Sequence, residues 1–117
     1  MTNTKYIFIE LQHKLQQTAN NSLSCKDLVN WVDDQHWELI EGSLKYDYSQ
    51  LADFLREILD DINAQWECLI ANIPDDHPQF PAQFIQDWLS DLLSQKINFS
   101  IKYKYDSNKN YAGMINY

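Results

Sequence analysis

At 117 residues the chain has room for one domain and one core, and its 44% hydrophobic and 14% aromatic content excludes a disordered protein despite a net charge of −8. Two glycines and three prolines leave few tight turns, which disfavours a many-stranded sandwich. An acidic body repels phosphate, so nucleic acid is disfavoured as its ligand.

The first element in chain order is a helix over about Lys5–Thr18, with Phe8, Leu11 and Leu15 on one stripe and Ile7 beside it. The polar run Gln16 to Asn21 ends it. No basic region followed by an apolar stretch opens the chain, and no apolar run matches a bilayer, so a cytoplasmic protein is expected.

Leu23-Ser24-Cys25-Lys26-Asp27-Leu28 is the strongest local signal. Ser24 can cap a helix, Asp27 can return a carboxylate at its third position, and Leu23 can staple onto Leu28. The second helix should run from Ser24 to Glu41, with Gly42 as its stop. Projected at about 100° per residue, Cys25, Leu28, Val29, Val32, His36, Leu39 and Ile40 share the core face. Asp27, Asp34, Glu38 and Glu41 gather opposite, with Trp31 and Trp37 on the two flanks.

Ser43 to Tyr48 is a tyrosine-rich connector. A long third helix follows over about Ser49–Ala71, stacking Leu51, Leu55, Ile58, Leu59, Ile62, Trp66, Leu69 and Ile70 on one side, and Pro74 ends it. Asp53, Glu57, Asp60 and Asp61 are expected to face away from that stripe. Asp53/Glu57 and Glu57/Asp61 are like-charge i,i+4 pairs that cost roughly 0.2–0.5 kcal/mol each in an isolated helix. Arg56 offers local relief to Asp53 and Asp60. Pro81 opens a fourth helix burying Phe84, Ile85, Trp88, Leu89 and Leu92 and ending near Lys96. Beyond it Phe99, Ile101, Tyr103 and Tyr105 alternate with Ser100, Lys102 and Lys104, the period of a strand; Tyr111 to Tyr117 can return as its hairpin partner. The fold class expected is α+β, mainly α: a single domain over residues 1–117 with about four helices and a small C-terminal β-hairpin.

Charge is distributed unevenly along these elements. Residues 1–95 hold sixteen acids against five cations, whereas residues 96–117 hold four lysines against Asp106. Between Asp33 and Asp91, fourteen acids face only Lys45 and Arg56. Chemistry is poorly served by comparison. Cys25 and Cys68 match no metal or redox spacing, and His13, His36 and His77 are scattered. The pairs Asp33-Asp34, Asp60-Asp61 and Asp75-Asp76 fall on convex helix faces or in a loop, without the concave, partly dry setting that acid–base work needs. Neither a phosphate-cradling glycine loop nor a Ser–His–Asp arrangement is present. No enzyme, cofactor or metal is expected.

In size, acidity, helical pattern and aromatic content the chain resembles bacterial toxin-immunity proteins, the class that neutralises contact-dependent growth inhibition and colicin-like toxins. The resemblance is carried by the acidic helices Ser24–Glu41 and Ser49–Ala71 and by their tryptophans. It implies a 1:1 complex with a toxin domain, commonly a cationic nuclease, whose active site or substrate groove is covered. The partner-binding residues expected from the helical projections are Trp31, Asp34, Trp37, Glu38, Glu41, Asp53, Glu57, Asp60 and Asp61. Two other readings compete. A phage-type nucleic-acid mimic would bind several basic host proteins, and a non-catalytic adaptor or assembly chaperone would bind a non-toxic one.

Overall fold

A computed structural model describes residues 3–72 and 78–94, which form four helices. The expected hairpin, Phe99 to Tyr117, and the acidic loop at Asp75-Asp76 lie outside the described residues.

Helix α1 spans Thr4–Ala19. Asn3 caps it, its side chain accepting the Tyr6 N–H at 2.8 Å. Ile7, Leu11 and Leu15, four residues apart, are fully buried, while Phe8 is only partly so. The core stripe therefore runs through Ile7 rather than Phe8. The helix ends in a Schellman motif: Asn21 takes φ 66°, Ser22 N–H donates to Gln17 O at 2.8 Å and Asn21 N–H to Thr18 O at 3.1 Å. Asparagine tolerates this left-handed position better than most side chains, which is why the polar run stops the helix where it does.

Helix α2 spans Cys25–Ile40 and starts as its sequence dictates, with Ser24 Oγ accepting the Asp27 N–H at 3.1 Å. Cys25, Leu28, Val29, Val32 and Leu39 are buried, and Leu23 packs against the same core. Leu39 keeps the stripe buried to the last turn, but two of its expected members leave it. His36 is only partly buried and Ile40 is 46% exposed, contrary to the core positions expected of them. From Val32 to Ile40, eight residues advance about 80° beyond two full turns, enough to carry Ile40 off the buried face. Gly42 also acts differently from expectation, since its φ is not positive. A Cβ there would meet Glu38 Cα at 2.7 Å, so close approach to the preceding turn demands glycine.

Helix α3 spans Gln50–Asn72, capped by Ser49 Oγ, which accepts the Ala52 N–H at 3.1 Å. Ala52, Phe54, Leu55, Ile58, Leu59, Ile62 and Leu69 are buried; Trp66 is partly buried and Ile70 is 42% exposed, so Ile70 leaves the expected stripe. Helix α4 spans Ala82–Ser94 directly after Pro81, and buries Ile85, Trp88 and Leu92. Phe80 joins the two helices, its ring 5.0 Å from Trp88 and 5.6 Å from Trp66 in edge-on arrangements. In the bundle α2 packs chiefly on α3 and α1 on α4, while α1 also touches α2 and α3. Among the described residues no helix is long and apolar enough to cross a membrane.

One acid expected outside lies inside. Asp61 is 2% exposed, and its Oδ2 accepts the Trp88 indole N–H at 2.8 Å. Gln65 Nε2 approaches Oδ1 at 3.5 Å. On the ~100° helical period Asp61 stands within about 60° of Phe54, Ile58 and Gln65, which places it on the flank that α4 covers. Its neighbour Asp60, a further 100° round, stays exposed. With Asp61 inside, the Glu57/Asp61 repulsion expected on the surface does not arise there. Trp88→Phe removes the indole donor and is expected to destabilise the fold by about 2–3 kcal/mol, because a hydrogen bond to a buried carboxylate is lost. Chemical denaturation reads this directly, and a change below about 0.5 kcal/mol would show the indole–carboxylate bond to be unimportant.

Candidate protein-docking surface

The C-terminal half of α2, the connector 41–49 and the N-terminal half of α3 meet at one edge of the bundle. Arg56 holds them together. Its Nε donates to Leu39 O at 2.9 Å and its Nη2 to Asp47 O at 2.8 Å, with longer 3.4 Å contacts to Leu44 O and Lys45 O. Nη1 reaches Asp53 Oδ1 at 3.1 Å. The last carbonyls of α2 lack helical partners and carry partial negative charge, so a guanidinium fork is well matched to them. The expected relief of Asp60 by Arg56 is not seen; Asp60 Oδ1 instead faces His36 Nε2 at 4.0 Å.

Two acids also shape the connector. Glu38 Oε1 accepts Ser43 N–H at 3.1 Å and Ser43 Oγ–H at 2.7 Å, folding the chain back over Gly42. Asp47 Oδ2 accepts the Thr4 hydroxyl, which ties the connector to α1, and Oδ1 accepts Ser49 N–H at 2.9 Å. The Thr4 hydroxyl, then Ser49, lower the Asp47 pKa below its usual value, and the Arg56 charge adds to this. A carboxyl depressed in the folded state stabilises the fold above its unfolded pKa near 4 and loses that contribution as pH falls through its folded value. Asp47→Asn is therefore expected to flatten stability against pH below about pH 4, leaving the slope near neutrality unchanged. Thermal melts of both proteins from neutral to acid pH check this, and parallel curves would remove Asp47 from the acid response.

Outward from this framework the surface alternates apolar and acidic groups. Trp37 and Ile40, three residues apart, are 55% and 46% exposed, with Tyr46 and Tyr48 more exposed still on the connector. One depression follows α2 and is lined by Asp33, Asp34, Trp37, Glu38, Ile40 and Glu41 among others. A second runs between the helices, lined by His36, Ile40, Asp53, Arg56, Glu57 and Asp60. Ile40 belongs to both. Of the residues expected from sequence, Asp34, Trp37, Glu38, Glu41, Asp53, Glu57 and Asp60 are brought together here.

Two are not. Asp61 is in the core, as described above. Trp31 is half-buried on the α1 flank of α2, packed against the core with Lys14 Nζ 5.9 Å from its ring centre. The six residues separating it from Trp37 turn the helix by about 240° beyond a full turn, so the rings diverge. Sequence reasoning missed Ile40 as a surface group and Arg56 as the organiser of the connector. A lone cation amid acids, placed to reach a helix end, was the available signal for Arg56.

Among the described residues no group of three His, Cys, Asp or Glu side chains could hold a metal ion. Cys25 lies elsewhere, buried, its Sγ accepting Phe80 N–H at 3.3 Å, and desolvation raises its thiol pKa away from the reactive thiolate. Comparison with protein-family models, with curated proteins and with solved structures finds no match.

Proposed function

We propose that the protein is an immunity protein, which binds and neutralises a cognate bacterial toxin by laying the α2–α3 edge over the toxin's active site or substrate groove. The observation that carries this reading is the placement of exposed Trp37 and Ile40 between two rows of carboxylates. Monomers gain little by exposing a tryptophan beside an isoleucine, whereas interfaces concentrate their binding energy in such groups. The partner matching the rim is a basic protein domain in a 1:1 complex. A nuclease fits, because its substrate groove is built to attract phosphate and an acidic helix can occupy it instead. The inhibitor itself is non-catalytic and acts from the cytoplasm.

The decisive experiment pairs the protein with the C-terminal domain of a large secreted protein, sought in the gene immediately upstream. Coexpression is expected to restore growth, and the purified proteins to form a 1:1 complex that lacks toxin activity. Binding to several unrelated basic proteins would favour a nucleic-acid mimic, and binding without protection would favour an adaptor. Either result ends the immunity reading. If the acids steer association, the on-rate is expected to fall about tenfold or more between low and physiological salt, with a smaller change in off-rate. Stopped-flow mixing across ionic strength measures both, and a salt-independent on-rate would remove the acidic rim from the mechanism.

A further inference from the structure

We propose that the depression between α2 and α3 seats an arginine side chain of the protein partner, with its guanidinium against Glu57 and Asp60 and its methylene stem along Ile40. The inference rests on the toxin-inhibitor reading and names the chemistry that the surface receives. Ile40 supplies an apolar wall, and three carboxylates line the α3 side at Asp53, Glu57 and Asp60. The cation in the same lining, Arg56, aims its fork at the carbonyls of Leu39 and Asp47 and pairs with Asp53. Among the described residues Glu57 has no ion pair, and Asp60 has only the 4.0 Å approach of His36. Negative charge therefore remains beside an exposed apolar side chain.

Glu57 and Asp60, three residues apart, are neighbours on the helix surface, roughly 5–6 Å apart at Cβ. A planar guanidinium can bridge two such carboxylates, whereas a lysine ammonium meets them as a point charge. The guanidinium is also the more weakly hydrated cation, so it gives up less solvation than an ammonium when it settles beside Ile40. A second copy of this chain is the poorer occupant, since it would bring an equally acidic surface against these carboxylates.

The test titrates the full isotope-labelled chain with tetra-arginine and tetra-lysine peptides while amide and indole signals are followed. Tetra-arginine is expected to shift His36, Ile40, Glu57 and Asp60 saturably and to bind about fivefold or more tightly than tetra-lysine. The Glu57→Gln, Asp60→Asn variant is expected to lose about tenfold in affinity, and a charge-matched Asp27→Asn, Glu67→Gln control less than about twofold. Equal losses in the two variants, or equal binding of the two peptides, would overturn the proposal. So would sedimentation showing that a second copy covers the groove. A full chain carrying Lys102→Gln and Lys104→Gln whose groove signals move before any peptide is added would also overturn it, by assigning the groove to the chain's own basic segment. The two readings fail separately. Peptide seated in the groove with no toxin bound sinks the immunity reading alone, and toxin bound through Trp37 with no arginine preference sinks the groove inference alone.

Discussion

Arg56→Ala is expected to lower stability by about 3 kcal/mol and the melting temperature by roughly 10 °C. The guanidinium is largely buried, with 20% side-chain exposure, and satisfies carbonyls from the end of α2 and from the connector together with the Asp53 carboxylate. Truncation leaves those carbonyls short of donors, and each poorly solvated one costs about 1–3 kcal/mol. It also frees the acids of α3 to repel one another. Arg56→Lys is expected to recover less than half the loss, because one ammonium cannot donate along the directions of Leu39 O, Asp47 O and Asp53 at once. Urea denaturation of the three proteins checks both statements. A loss below about 1 kcal/mol for Arg56→Ala would mean that the connector holds its shape without the clamp.

The second large effect separates the two tryptophans of α2. Trp37→Ala is expected to weaken toxin binding by about 2 kcal/mol or more, near thirtyfold, with the melting temperature almost unchanged. Its ring is 55% exposed and lines the acidic depression along α2, so the free protein loses little packing. Trp31→Ala is expected to behave in the opposite way. That ring covers the core on the α1 side, beneath Lys14, and its removal should cost about 2 kcal/mol of folding free energy while the fraction that stays folded binds normally. Melting temperature and toxin affinity measured on both variants decide the matter. Undiminished binding by a folded Trp37→Ala protein would end the anchor assignment and leave the acids of α3 as the remaining contact.

Much of this architecture was legible from local patterns. The i, i+3, i+4 spacing of Leu55, Ile58, Leu59 and Ile62 marks a helix whatever surrounds it, and all four are buried as that spacing requires. Ser24 three residues before Asp27 marks a helix start, and the cap forms there. These features depend on residues within one or two turns of each other, so the sequence contains the whole interaction. The bias of charge toward acids is likewise a property of composition, independent of the fold.

What tertiary structure alone decided is where each stripe ends and what each polar group meets. Asp60 and Asp61 both lie off the apolar stripe of α3, on opposite flanks; the indole of Trp88, on another helix, makes the interior tolerable for Asp61. Trp31 and Trp37 look equivalent on a helical projection, because each lies about 120° from the core centre. They differ because α1 comes to lie against one flank of α2, whereas the other flank opens onto the depression lined by α2 and the connector. The reach of Arg56 to Leu39 O, seventeen residues away in sequence, depends on how α3 docks against the end of α2. Burial and long-range hydrogen bonds are set by which elements become neighbours, so a one-dimensional period can name the helices and their faces but not the partner each face receives.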